Sequence, residues 1–192
     1  MSALRVALKE WAVICRALAE GRQAIVLRKG GLAEATGEFR LEHTRFWLFP
    51  TYLHEKPEAL KPEALPLLQA AEADRPPAGK VRLSHFAEVG GAYQVHDIVG
   101  ALKIDPLHLW SPATVEARFA YRRPGLFVLP VRVWGVPEPF EIADTAYYAG
   151  CKSWVELEKG LPTAGAAPVL DDHAFRDLMR TLNLLLQPTA FV

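Results

Sequence analysis

The sequence has few cysteines, no net charge and no long apolar run, and each of these shortages excludes a class of protein. Two cysteines cannot form a disulfide framework or a four-cysteine zinc site, and so few are typical of a reducing compartment. The 22 basic and 22 acidic residues cancel, so nucleic acid can be attracted only by a local cluster of charge. No apolar run approaches the roughly 20 residues of a membrane span, and the first residues do not resemble a signal peptide. We therefore expect a cytoplasmic protein with no membrane partner.

The common catalytic motifs are also missing. The sequence contains no GxGxxG, GxxxxGK[ST], HExxH, CxxC or GxSxG. These absences disfavour the two common kinds of nucleotide-binding enzyme, the zincins, the zinc ribbons and the α/β-hydrolases. The six histidines are scattered, with no pair at a spacing that would bring two imidazoles onto one metal ion. The sequence leaves metal ligands and cofactors unidentified.

What is present is enough apolar sequence for one compact domain of 192 residues, 51% of them hydrophobic. Apolar residues spaced by three and four from Leu4 to Leu18 predict a helix that ends at Gly21. Strand patterns follow at 23–29, 45–49, 80–89 and 125–134, with Pro130 indicating an edge or a bulge. An acidic cap and an apolar stripe predict an amphipathic helix near the C-terminus.

Helices and strands do not alternate regularly along this chain, which argues against a doubly wound sheet. We predict an α+β fold with a mixed sheet or a small, partly closed β-barrel flanked by helices. Residues 1–162 are expected to form a single domain. Residues 163–192, a loop and the C-terminal amphipathic helix, are expected to pack on it as an appendage.

A first candidate site lies where a buried strand ends in Arg28 and Lys29, followed by Gly30 and Gly31. Two cations beside flexible backbone N–H groups are suited to hold a phosphate or a carboxylate. Solvated side chains at a strand end, followed by a simple turn, would give the same pattern.

A second candidate site follows the strand that ends at Phe49 and Pro50. Thr51, Tyr52, His54 and Glu55 place a hydroxyl, a phenol, an imidazole and a carboxylate within five residues. An imidazole that titrates near neutrality can act as a general acid or base, so His54 and Glu55 are the candidate catalytic residues. In the alternative interpretation, Thr51 caps the next helix and His54 is an ordinary surface side chain.

A third cluster precedes the strand at 125–134. Arg118, Tyr121, Arg122 and Arg123 interleave cations with an aromatic ring, a pattern suited to stacking on bases and pairing with phosphates. A basic helix end favoured by the helix dipole explains the pattern equally well.

Four phrases, ALKEWAVICRALAEGRQAIVLRKGGL, FWLFPTYLHE, RFAYRRPGLFVLPVRVW and YAGCKSWVEL, resemble the bacterial DUF1802 family, a domain of unknown function. That resemblance implies no reaction. The segment from Gly21 to Arg28 is also similar to the G-x-K-x-x-E-x-R signature of ASCH domains, relatives of the PUA fold. Gln23 and Val26 replace the signature lysine and glutamate, so an ASCH-like catalytic role is not implied. The similarity implies a small β-barrel with a helix beside its cleft and a nucleic-acid or modified-nucleoside ligand.

Three functions remain open. In the first, the protein binds RNA, DNA or a nucleotide-like ligand through the ligand-binding candidates Arg28, Lys29, Thr51, Tyr52, Tyr121 and Arg122, with His54 lining the cleft. In the second, it is a phosphoester hydrolase or nuclease that combines His54 with Arg28 and Lys29, with a divalent metal held by acids such as Glu38, Glu42 or Glu55. In the third, it is a non-catalytic partner-binding protein that forms a homodimer through its C-terminal helix.

Overall fold

The computed structural model describes residues 3–29, 42–150 and 152–186, which contain eight strands and five helices. The strands are β1 (Ala3–Trp11), β2 (Ile25–Arg28), β3 (Arg45–Thr51), β4 (Lys80–Val89), β5 (Tyr93–Val95), β6 (Leu126–Ala143), β7 (Trp154–Pro162) and β8 (Ala167–Pro168). The helices are α1 (Ala12–Ala19), α2 (Leu65–Ala73), α3 (Ile98–Lys103), α4 (Pro112–Ala120) and α5 (Asp172–Leu185).

The strands form one mixed sheet in the order β2-β6-β4-β3-β1-β7, with β5 and β8 both paired to β6. β1 and β3 run parallel, and every other described pairing is antiparallel. Among the described strands no ladder joins β2 to β7, so the sheet curls without closing into a barrel. The predicted α+β fold with a mixed sheet flanked by helices is confirmed.

The first element corrects the sequence analysis, because residues 3–11 are a strand and only Ala12–Ala19 is helical. The spacing from Leu4 to Leu18 fits a helix, but Leu4, Val6 and Leu8 also recur at every second residue, as in a strand. Backbone pairing with β3 on one side and β7 on the other decided between the two patterns. The predicted stop at Gly21 is confirmed, since this glycine adopts a φ of +68° just after the helix.

β1 separates two hydrophobic cores. Its Leu8 joins the larger core, which contains α1, β2, Trp110 and the first half of β6. The neighbouring Ala7 joins the smaller core around Trp47. Because successive side chains of a strand point to opposite faces, a strand buried on both sides contributes to both cores.

β6 is 18 residues long and joins the two ends of the sheet. Residues 127–130 pair with β2, whereas residues 131–135 and 140–143 pair with β4. Pro130 is therefore in an internal strand and not at the predicted edge. It lies at the last pair with β2, where the missing proline N–H affects the end of a ladder.

The C-terminal helix α5 begins at a side-chain cap, with Asp171 accepting a hydrogen bond from the Ala174 N–H at 2.8 Å. Asn183 accepts a 2.7 Å hydrogen bond from the Tyr93 hydroxyl. Gly90 makes room for the helix, because a Cβ there would lie 2.8 Å from the Phe175 ring. Leu184 is on the outer side and is 82% exposed. None of the helices within the described ranges has the length and apolar character that crossing a membrane requires.

Candidate functional site

The ends of β1 and β3 meet the beginning of α1. The two strands are parallel, so their carboxyl ends lie side by side, and the Thr51 hydroxyl donates a 3.2 Å hydrogen bond to the Glu10 carbonyl oxygen. Chain direction then brings residues 52–55 across the N-terminus of α1. Of the side chains predicted from sequence at 51–55, Thr51 therefore contacts the end of β1 and Glu55 contacts the first turn of α1.

Glu55 caps that helix. Its carboxylate accepts a 2.9 Å hydrogen bond from the Val13 N–H. Burial raises the pKa of Glu55, and the backbone N–H groups of Val13 and Ala12 oppose that rise. A carboxylate at a helix N-terminus stabilises the helix through otherwise unpaired N–H groups and through the helix dipole. Glu55 was predicted as a candidate catalytic residue. In the structure its carboxylate stabilises the start of α1.

A concave cleft of about 620 Å³ opens beside this corner. Its walls are the end of β3 with residues 52–54, the loop and strand start at 75–81, and residues 144–146 and 148–150 with Lys152. Four cationic side chains and one carboxylate are among the lining residues: Lys9, Arg75, Lys80, Lys152 and Asp144. On a chain with equal numbers of acidic and basic residues, this excess makes the cleft locally positive.

Aromatic rings line the same cleft. The Arg75 guanidinium lies over the Tyr52 ring, 4.7 Å from its centroid. Tyr148 is buried in the wall, tilted against Phe49 at 5.6 Å. Tyr147 is not one of the lining residues, but it packs edge-on against Tyr148 and is 55% exposed. Burial raises the pKa of Tyr52, so its phenol stays protonated and available as a donor.

His54 lies at the rim of the cleft, exposed, in a tight turn with Leu53. Its backbone has a φ of +65°, a left-handed conformation that is uncommon for a residue with a side chain. Within the described part of the chain, the imidazole makes no hydrogen bond. The structure thus brings Thr51, Tyr52 and His54 to one cleft.

Lys9 shapes the opposite wall. Its ammonium donates hydrogen bonds to the carbonyl oxygens of Tyr148 and Gly150, the latter at 3.2 Å. The lysine therefore fixes residues 148–150 against β1 while its charge remains beside the cleft.

Arg28 lies elsewhere, between β2 and β1. Its guanidinium donates a 2.9 Å hydrogen bond to the Lys9 carbonyl oxygen and lies 3.5 Å from the buried Glu10 carboxylate. Its Nε is buried and, among the described residues, has no acceptor. Arg28 thus joins the curled edge of the sheet to β1 where no backbone ladder does.

Glu10 also faces Arg118, whose guanidinium stacks on Trp110 at 3.7 Å from the ring centroid. Burial lowers the pKa of Arg118, and Glu10 opposes that change. The charge of Glu10 thus acts on both arginines, and Arg118 packs on the buried Trp110.

Lys29 holds the end of α4 and the turn after it. Its ammonium donates to the carbonyl oxygens of Phe119 at 2.6 Å, Gly125 at 2.8 Å and Arg123. Burial lowers the pKa of Lys29. Three carbonyl acceptors use all three N–H bonds of an ammonium group, so this lysine has none left to donate to a phosphate.

Tyr121 and Arg122 are in that same turn and do not line the cleft. Arg122 has a φ of +60°, and its guanidinium is 5.1 Å from the Tyr121 ring centroid. Both side chains are exposed beside a separate shallow depression that includes Arg118. Two further sequence expectations lie outside the described residues: the glycines at 30 and 31, and the candidate metal ligand Glu38. Glu42 is exposed, and no group of three or more metal-ligating side chains occurs among the residues that the structure describes.

The family model for Domain of unknown function (DUF1802) matches residues 7–181. The chain belongs to this family. A comparison with curated proteins gives no match. Among solved structures, this family member is similar to ASCH from Zymomonas mobilis, with 12% identity over 95% of each chain and a TM-score of 0.45. It is also similar to a point mutant of that protein, with 11% identity, a TM-score of 0.46 and coverage of 93% of this chain and 98% of the other.

Sequence reasoning missed four cleft residues: Lys9, Arg75, Lys80 and Lys152. Arg75 and Lys80 bracket the proline-rich loop DRPPAGK, and Lys152 follows the Gly150 turn. Their position beside exposed turns could have marked them as candidate ligand contacts. That they meet in one cleft could not be predicted from the sequence, because it depends on pairing between distant strands.

Proposed function

We propose that the protein binds single-stranded nucleic acid in the cleft beside Tyr52. The observation that carries this proposal is the excess of cations over carboxylates in one concave, partly aromatic surface of a neutral chain. Its volume of about 620 Å³ falls within the roughly 300–1,000 Å³ of typical ligand pockets.

The cations differ in how freely they can meet a phosphate. Lys152 is exposed and makes no ion pair within the described ranges. Arg75 pairs with Glu72 at 3.1 Å on the surface, and Lys80 pairs with Glu141 at 3.4 Å. Exposed pairs of this kind are weak, so a phosphodiester can replace the carboxylate at little cost. Lys152 and Arg75 are therefore the principal phosphate contacts in this proposal.

The aromatic groups provide the surface for bases. The stacked pair of Arg75 and Tyr52 presents a planar guanidinium, and the exposed Tyr147 ring lies beside the wall. Any base can stack on such a face, which favours binding with little sequence preference. Thr51 and His54 provide polar groups at the rim, the hydroxyl still able to accept a hydrogen bond. In this proposal Arg28 and Lys29 act as supports that hold β1 and the end of α4.

The test is fluorescence anisotropy with a labelled single-stranded RNA of about ten nucleotides, titrated between about 50 and 200 mM salt. We expect binding that weakens steeply with salt. The double variant R75A/K152A should bind at least about tenfold more weakly, with a salt slope that falls by about 0.7 for each lost contact. The matched control is Lys103→Ala, an exposed lysine on α3 that does not line the cleft.

Equal binding by the double variant and the Lys103→Ala control would place the interaction elsewhere and reject the cleft. Absence of binding to RNA and DNA alike would reject nucleic acid as the ligand. The same oligonucleotide incubated with Mg²⁺ and run on a gel tests the hydrolase alternative. That alternative needs His54 to work without Arg28 and Lys29, whose hydrogen bonds go to other parts of the chain.

A further inference from the structure

A second cavity, of about 370 Å³, lies behind Tyr52, between α1, α2 and β4. It shares Pro50, Tyr52 and Pro76 with the walls of the cleft. Ser84 and His85 of β4 both face it, although neighbouring residues of a regular strand point to opposite sides.

The irregular pairing of β4 with β6 explains this arrangement. Leu83 pairs with Phe140 and His85 pairs with Gly135, so β4 advances by two residues while β6 advances by five. The three extra residues of β6 lie in a bulge at 136–139 that includes two prolines, and Ser84 has no partner in the ladder. Bulges reorient side chains and are common beside active sites.

The imidazole is also given room. A Cβ on Gly135 would lie 2.9 Å from His85 Nε2 and 3.2 Å from Cδ2, so only glycine lets the ring lie against β6. In that position His85 Nδ1 is 2.8 Å from the Ser84 hydroxyl oxygen. Burial lowers the pKa of His85, which keeps the ring neutral and able to accept the hydroxyl proton.

We propose that Ser84 is a nucleophile activated by His85 and that this cavity accepts a small carboxylic ester. Ser84 Oγ forms a bond to the carbonyl carbon as its proton moves to His85 Nδ1. The ester C–O bond then breaks, and the departing alkoxide takes that proton. Water then gives a proton to the same imidazole and attacks the acyl-serine. The bond between the acyl carbon and Ser84 Oγ breaks, Ser84 Oγ takes the proton back from His85, and the carboxylic acid is released. The guanidinium groups of Arg16 and Arg82 also line the cavity, each in an ion pair, Arg16 with Glu20 and Asp74 and Arg82 with Glu141. The oxyanion would compete with these carboxylates for the two guanidinium groups.

The neighbouring thiol does not compete for this role. Cys15 lines the cavity, but burial and the Glu10 carboxylate raise the pKa of the thiol well above its usual range. A protonated thiol is a poor nucleophile. Cys15→Ser is therefore a control within the same cavity.

The test uses an alkyl fluorophosphonate, which reports an activated serine without a known substrate. Ser84 Oγ bonds to phosphorus, fluoride leaves, and the proton passes through His85 to solvent. We expect peptide mass spectrometry to find the adduct on Ser84 and not on Ser111, whose hydroxyl contacts Thr114 and no imidazole. Ser84→Ala should lose the adduct, His85→Gln should react about 100-fold more slowly, and Cys15→Ser should react as the native protein does.

Failure of the native protein to label at Ser84 overturns the proposal, as does equal labelling of a folded His85→Gln variant. If that variant does not fold, the role of His85 is tested in the native protein by modifying its histidines with diethyl pyrocarbonate before the fluorophosphonate is added. Carbethoxylation mapped to His85 must then suppress labelling of Ser84, and unchanged labelling overturns the proposal. Ser84→Ala should bind RNA as the native protein does, which keeps this proposal separate from that for the cleft.

Discussion

Lys29 and Lys61 differ from Lys152 in what their charge can still do. The Lys61 ammonium donates to the carbonyl oxygens of Asp105 at 2.5 Å and His108 at 2.9 Å, and it pairs with the Asp105 carboxylate. Lys29 is bound by three carbonyl oxygens. Lys152, at the cleft, is exposed and makes no ion pair within the described ranges. The partners of a cation, and not its place in the sequence, decide whether it fixes the fold or meets a ligand.

The largest effect on stability is expected at His108, whose backbone carbonyl oxygen accepts a hydrogen bond from Lys61. His108 is buried, and neither ring nitrogen has a hydrogen-bond partner among the described residues. Burial and the Lys61 charge lower its pKa from 6.5 to about 4. The unfolded chain therefore binds the extra proton between these pH values, so acid favours unfolding. We expect a loss of about 3 kcal/mol of stability as the pH falls from 6.5 to 4.

Urea unfolding at a series of pH values measures this loss. His108→Leu should flatten the profile over that pH range, because an apolar group of similar size replaces an unpaired polar one. A profile that keeps its full slope in the variant would assign the acid sensitivity to other groups.

The next effect tests whether Lys29 is structural. Lys29→Met keeps the length of the side chain and removes three charge-assisted hydrogen bonds to residues 119–125. We expect a loss of about 2 kcal/mol in the free energy of unfolding, and unchanged RNA affinity in the folded variant. If the variant keeps its stability but loses RNA binding, Lys29 contacts the ligand and is not a structural residue.

A smaller effect concerns the carboxylate at the start of α1. Glu55→Ala should cost about 1 kcal/mol, because the Val13 N–H loses its acceptor. Glu55→Gln keeps an acceptor and should stay within a few tenths of a kcal/mol of the native protein. Thermal unfolding of the two variants side by side makes this measurement. Equal losses would show that the charge, and not the hydrogen bond, stabilises the helix.

The smallest change in stability is expected at the cleft. Lys152→Met should leave the free energy of unfolding within about 0.5 kcal/mol of the native value, as is usual for surface substitutions. It should nevertheless weaken RNA binding, whereas Lys29→Met should lower stability and leave RNA binding unchanged. Urea unfolding measures the stability of both variants, and fluorescence anisotropy measures their affinity for RNA. A marked loss of stability in Lys152→Met would show that this lysine supports the fold.

Much of the local structure was predictable because its signals are local. Ser111 caps α4 as its residue type favours, accepting a hydrogen bond from the Thr114 N–H at 3.3 Å, with Pro112 in the first turn. Gly21 ends α1 as predicted. Each of these features depends on residues within four positions of one another.

What could not be predicted depends on distant parts of the chain. The acceptors of Lys29 lie 90 to 96 residues away, and the Ser84–His85 pair faces one cavity only because β6 bulges opposite it. β1 was misread because its apolar residues fit both periods, and only its two partner strands select one. Neither the partners of a side chain nor the neighbours of a strand are encoded in a short window of sequence.

The long strand β6 also sets an order on folding. Residues 126–143 provide pairing partners for β2, β4, β5 and β8, three of which precede them in the chain. During synthesis, β2, β4 and β5 therefore leave the ribosome before β6, and the edges that pair with β6 are unpaired until it is made. Its arrival converts separate segments into one sheet, so folding requires contacts distant in sequence and is expected to be slow relative to helical domains of this size. Until then, those exposed edges are the parts of the nascent chain most in need of protection from aggregation.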